Sequence, residues 1–245
     1  QNKCIRQRVM KNIYSEALGF TINNDFVIKG SSLYKYIGYE EFIVTPRGLD
    51  AINSHAFDSC ENIKSVMISE GIKSIGEYAF RKCINLERIT IPNSLERIQI
   101  NAFLGCEKLY SLNIPQRVNI ISFGSLSKCK NLSNINVEEG NDEYSSLDGV
   151  VFDKDKTRLL LYPPNRGAIN YDIPNSVTHI DQYAFQYCTN LKTVYLPKNV
   201  KNCSSFVHMQ ALTNIEVDNQ NYSYTSIEGV LYDKDKTCLI KYPAA

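Results

Sequence analysis

The chain repeats itself every 23 residues, and that interval limits what it can fold into more than any other feature. Phe57, Phe80 and Phe103 are spaced by it, and Cys60, Cys83, Cys106 and Cys129 keep the same step. The apolar triplets Ile63/Val66/Ile68, Leu86/Ile89/Ile91, Leu109/Leu112/Ile114 and Leu132/Ile135/Val137 move with them. A catalytic residue is needed once, whereas a residue that recurs at fixed spacing is needed by every copy of a structural unit. Periods of this order mark solenoids, in which each coil buries its apolar edge against the next.

Each coil can be read locally. In "NLERITIP", Ile89 and Ile91 alternate with Arg88 and Thr90, a period of two that buries one face of a strand. Pro46, Pro92, Pro115, Pro174 and Pro197 follow the strand, where a missing N–H spoils no ladder bond. A second extended piece then returns the chain to a short helical turn carrying Phe103 and Cys106 on one face. The inward strand position recurs at Thr45, Ile68, Ile91, Ile114, Val137, Ile173, Leu196 and Val217, which predicts about eight coils. In the last of these, shortened, coil Phe206 and Met209 take the Phe and Cys positions.

Other stretches punctuate the array. "DGVVFDKDKTRLLLYPP" near 148–164 returns as "EGVLYDKDKTCLIKYPA" near 228–244, with a degenerate copy near 26–38, and each reads as a β-hairpin with a polar tip. The third either caps the array or precedes more of it. Ile5, Val9, Ile13, Ala17 and Leu18 follow helical spacing, so 1–25 is expected to be an N-terminal helical cap over a repeat domain spanning 26–245.

Composition excludes several function classes. A net charge of +1 with no concentrated Lys/Arg run gives no footprint for nucleic acid. No run approaches the ~18 apolar residues of a membrane span, so no direct insertion is expected. The first residues lack a signal-peptide core, and the chain begins without Met, as an excerpt or a mature form does. Five of the eight cysteines (Cys60, Cys83, Cys106, Cys129 and Cys188) share one repeat position. Side chains at equivalent positions of stacked coils point the same way, so these are expected to be free buried thiols rather than disulfides. No C-x-x-C suggests zinc.

The repeat I-G-x-x-A-F-x-x-C-x-x-L-x-x-I-x-I-P, with D-G-V-L-x-D-K-x-K-T-x-L-x-x-Y-P hairpins, resembles the BspA-type leucine-rich repeat family over about residues 26–243. Ser125-Leu126 departs from its Ala-Phe, and the coil of Phe206 lacks both Ala-Phe and Cys. The resemblance implies an α/β leucine-rich repeat solenoid: a parallel β-sheet on the concave side, short helical turns on the convex side and inserted hairpins. It also implies a cell-surface or secreted protein that takes part in adhesion or other protein–protein interactions. The alternative is a scaffold or stalk that only spaces other domains of a longer surface protein.

Nothing in the sequence assembles a catalytic site. His55 and His179 fall on outer turns and His208 in the irregular coil, with no nucleophile at a recognisable spacing, so no catalytic residue and no enzyme activity are expected. Asp153/Asp155 and Asp233/Asp235 lack the further ligands of a calcium loop, and no metal or other cofactor is expected. Asn131, Asn202 and Asn221 begin N-x-S sequons. Binding is better supported, because a solenoid presents an extended sheet. Its outward positions run from Phe42/Val44 and Met67 through Arg88, Asn113, Asn134, Asn136 and Asp172 to Tyr195. Arg88, Asn113, Asn134, Asn136, Asp172 and Tyr195 are the candidate ligand-binding residues. The expected partner of this monomer is an extracellular protein or glycan.

Overall fold

The computed structural model describes residues 13, 14, 18–203, 206 and 209–243. Most of the cap expected over 1–25, together with His208, lies outside these residues. The chain falls into two compact units, 1–130 and 131–245, built from the same parts.

In the first unit, strands Phe42–Val44, Ser65–Met67 and Arg88–Thr90 form a parallel front ladder in which Ile43, Val66 and Ile89 face one another across successive coils. Those three are buried while the residues on either side are not, as the two-residue alternation predicts. Strand Ser111–Ile114 repeats the pattern. After Arg88–Thr90 and Ser111–Ile114 a proline opens a tight turn, Leu95 N donating to Pro92 O and Val118 N to Pro115 O. The chain then enters a two-residue back strand: Ala51–Ile52, Ser74–Ile75, Arg97–Ile98 and Ile120–Ile121 stack in parallel.

The Phe and Cys rows fill the space between front and back. The Phe57 and Phe80 rings stack at 4.8 Å, and Phe80 and Phe103 at 5.4 Å. Each thiol donates to the aromatic residue's carbonyl in the preceding coil, Cys83 to Phe57 O at 3.1 Å, Cys106 to Phe80 O at 3.1 Å and Cys129 to Phe103 O at 3.3 Å. All seven described cysteines are free.

In place of the short helical turns, the convex segments are chains of β-turns; among the described residues only Phe123–Leu126 forms a 3-10 helix. The reason lies in where the amides point. Ala56 N and Cys60 N bond within the coil, to Asn53 O and Phe57 O. The alternate amides His55, Phe57 and Ser59 instead donate along the stack, to Glu77 O, Ala79 O and Arg81 O. A helix would consume all of them internally. Left-handed φ values at His55 and Ser59 (61° and 59°) set this alternation.

The second unit has front strands Asn134–Val137, Asn170–Asp172, Thr193–Leu196 and Asn214–Val217, the last three in one parallel ladder. Its expected hairpins are each the last two strands of a three-stranded meander. Tyr144–Leu147, Val150–Asp153 and Arg158–Leu161 form one, and Tyr224–Ile227, Val230–Asp233 and Leu239–Lys241 the other. The first turn of each needs two left-handed residues, Asp148–Gly149 (φ 50° and 79°) and Glu228–Gly229 (50° and 81°), which suits a twisted two-residue hairpin.

The middle meander is the back half of a coil rather than an appendage. Its third strand pairs in parallel with His179–Ile180, as a back strand does. Tyr162 then takes the Phe position, its amide donating to Ala184 O at 2.7 Å and its ring lying 5.5 Å from that of Phe185. The first unit starts the same way, with Phe20–Asn23, Phe26–Lys29 and Ser32–Tyr36 forming a meander whose last strand pairs with Ala51–Ile52. Tyr36 stacks on Phe57 at 5.4 Å.

Candidate binding surface

The outward side chains of the front strands are fixed by rigid ladders, and their surroundings differ between the units. In the first, Arg88 and Asn113 are exposed, Arg88 standing in register with Ser65. Phe42, Val44 and Met67 are exposed beside them, with 73%, 61% and 52% of their surfaces open.

In the second unit, Asn134 and Asn136 are exposed on either side of buried Ile135. The meander turn reaches this strand, Gly149 O accepting from Ile135 N at 3.1 Å. A side chain at Gly149 would collide with the Asn134 amide, so close approach and left-handed φ together require glycine there. The same device recurs at Gly229 O and Ile215 N, 3.0 Å apart.

Asp172 lies in the next ladder, opposite Tyr195, which in turn lies opposite Glu216. The Tyr195 hydroxyl donates to Asp218 at 3.0 Å. Desolvation, this hydrogen bond and the neighbouring carboxylates raise its pKa, so the phenol stays a neutral donor. The ladder thus brings Asp172 and Tyr195 together with Glu216 and Asp218, while Asn134 and Asn136 belong to a different strand set. Glu216 was readable from the register. Asp218 was not, because it lies past the strand end and meets Tyr195 only through the stacking of coils.

Several other titratable groups are tied into the fold. Asp153 uses both oxygens at its tip, accepting from the Thr157 and Arg158 amides at 2.7 and 2.9 Å and from the Thr157 hydroxyl at 2.6 Å. Asp233 does likewise with Thr237 and Cys238, and these bonds, the Thr237 hydroxyl's first, lower its pKa. Asp58 holds Arg81 at 2.6 and 2.9 Å and meets His55 at 3.1 Å. Burial pushes that carboxyl up, but the Arg81 and His55 hydrogen bonds outweigh it and leave the pKa below the usual range. Cys60 is half-buried and lines a cleft of about 300 Å³ with Tyr36, Tyr39 and Glu61. Among the described residues no group of three or more His, Cys, Asp or Glu could hold a metal ion. No described helix is long and apolar enough to cross a membrane.

Of the three sequons, Asn131 and Asn202 are exposed. Asn221 is fully buried, donating to Pro197 O and Val200 O and accepting from the Ser223 and Tyr224 amides. It is unavailable for glycosylation in the folded chain.

The fold has relatives of known structure. The pneumococcal vaccine antigen PcpA matches at 23% identity and a TM-score of 0.64, over 82% of this chain and 60% of that one. A leucine-rich repeat protein from Eubacterium ventriosum matches at 20% identity and a TM-score of 0.59, over 78% of this chain and 66% of that one. A leucine rich cell surface protein from Faecalibacterium prausnitzii matches at 22% and 0.50, over 80% of this chain and 73% of that one. The chain therefore spans less than two thirds of the first two relatives' length. No curated protein matches it. The model for the BspA type leucine rich repeat region matches six copies over residues 28–155 and 165–236. With its front strands, back strands and aromatic and cysteine rows all in that register, the chain belongs to the BspA-type leucine-rich repeat family.

Proposed function

We propose that this protein is a non-enzymatic interaction module of a cell surface or secreted protein, and that it binds an extracellular protein or glycan through outward front-strand residues. These are Arg88 and Asn113 in the first unit and Asn134, Asn136, Asp172 and Tyr195 in the second. The observation that carries this reading is the outward placement in each unit: exposed or half-exposed donors and acceptors alternating along the strands with buried or half-buried inward neighbours. Groups held at strand spacing lose little conformational freedom on binding. The meander tips are weaker candidates, since Asp153 and Asp233 already spend their oxygens on their own loops. The leucine rich cell surface protein among the structural relatives agrees in location, on fold alone.

The test is a screen of purified protein on arrays of extracellular proteins and glycans. Any hit is then measured with Asn113→Arg, Asn136→Arg and a variant carrying Gly/Ser at 153–156. Weakened binding in the Asn→Arg variants supports the proposal. Loss only in the tip variant, or turnover of the ligand, overturns it.

A further inference from the structure

The first front strand of the described residues is apolar on its outward face, and along one edge no described strand pairs with it. In the ladder of the first unit the strand order is Phe42–Val44, Ser65–Met67, Arg88–Thr90, so Phe42–Val44 is the edge. Its odd-numbered residues serve the neighbour, with Glu41 O accepting from Ser65 N at 3.0 Å and Thr45 N donating to Met67 O at 3.0 Å. In a parallel ladder the alternate residues then direct their N–H and C=O groups to the opposite side. Those residues are Phe42 and Val44, and among the described residues no strand pairs with them there.

The second unit supplies an internal control. Asn170–Asp172 is likewise the first front strand after a meander and the edge of its own ladder. Its outward residues are Asn170 and Asp172, both exposed and polar, the usual means of keeping an open edge from pairing. The fold therefore does not require Phe42 and Val44. Together with Met67, which stands in register with Val44, they place three exposed apolar side chains next to backbone groups that no described strand pairs.

We infer that Phe42–Val44 is a strand-addition site for an extended segment of a partner protein with β-branched or other apolar side chains at alternate positions. Main-chain bonds to the edge supply the pairing, and the Phe42/Val44/Met67 face supplies the side-chain contact. A helix would leave the edge amides unpaired, and a glycan would leave the three apolar groups unmatched. Exposed Glu40 and Arg47 bracket the strand, which favours an incoming segment basic at the Glu40 end and acidic at the Arg47 end. The site is distinct from the polar residues proposed above, so it can fail while they stand.

The probe is the blocked peptide Lys-Thr-Val-Thr-Val-Thr-Glu, fluorescently labelled and titrated with the whole chain by anisotropy. It is expected to bind, and the double substitution Phe42→Asn/Val44→Asp, which copies the second unit's edge, is expected to weaken it by about tenfold or more. Two further peptides, N-methylated on the valines or on the threonines, block opposite edges of the strand; only one is expected to lose binding. No binding of the parent peptide, equal binding by the substituted chain, or equal effects of the two methylation patterns would each overturn the inference. Sedimentation of the protein alone completes the test: self-association abolished by the double substitution would assign the edge to a second copy instead of a partner.

Discussion

At the scale of single residues, the cysteines differ in exposure, even Cys60 from the buried members of the row that shares its repeat position. Burial pushes the Cys83 and Cys106 thiols well above their ordinary pKa and that of Cys129 up to about 12, so none supplies thiolate at neutral pH. Cys238 is exposed and Cys60 half-buried. In native protein a thiol reagent should therefore modify Cys238 fast and Cys60 slowly, while Cys83, Cys106, Cys129, Cys188 and Cys203 wait for unfolding; mass mapping of the modified sites checks the order. Asp58 gives a second prediction, whose sign follows from its lowered folded-state pKa. Its contribution to stability is present above the unfolded value of about 3.9 and is lost as pH falls through the lower, folded value. Asp58→Asn should accordingly lower the melting temperature at pH 7, and the gap to the parent should close in strong acid. A gap that persists there would mean that Asp58 acts by packing rather than by charge. Thr45 shows what residue-level reading of sequence misses: it sits at an inward apolar position, yet it is tolerated because its hydroxyl accepts from Ser69 N at 2.8 Å, one coil away.

At the scale of elements, the front strands were legible because a two-residue alternation repeats at fixed spacing, and the observed inward residues follow it from Thr45 to Leu196. The helical turns were not, because Phe and Cys three residues apart suit a β-turn as well as a helix, and the choice is made by amides bonding to the next coil. The meanders were read as two strands, since the first strand, Tyr144-Ser145-Ser146-Leu147, carries no apolar alternation and is held by pairing with Val150–Asp153. Burial of the third strand was also beyond local sequence. Leu159 and Tyr162 are buried, where His179–Ile180 and Phe185 cover them, but their counterparts Leu239 and Tyr242 in a nearly identical segment are exposed. The prediction at this scale concerns Gly149. Alanine there must hold a left-handed φ and collide with Asn134, so Gly149→Ala should cost ~1–2 kcal/mol or more in denaturant unfolding, and shortening Asn134 to Gly should recover part of the loss. No recovery would place the whole cost in the backbone.

At the scale of the molecule, the repeat fixed in advance what kind of object forms but not where it binds. Arg88, Asn113, Asn134, Asn136, Asp172 and Tyr195 were selected by register, and register specifies only that they face outward. Which of them share a ladder is set by strand pairing: Asp172 and Tyr195 stand opposite each other in one, whereas Asn134 lies beside the Gly149 turn in another. The same logic governs stability, because in a stacked array each coil is supported by its neighbours. Phe80 is wholly buried between Phe57 and Phe103, so its truncation removes contacts on two sides. Phe80→Ala should cost ~3–5 kcal/mol, the usual range for an aromatic removed from a packed core. The loss should spread along the stack rather than stay local. Hydrogen exchange should show protection falling at Phe57 and Phe103, whose amides donate to Ala79 O and Ser125 O, as well as at Phe80, whose amide donates to Ala102 O. If exchange quickened at Phe80 alone, the coils of this unit would be independent, and the ring stack would be a consequence of the ladder rather than one of its supports.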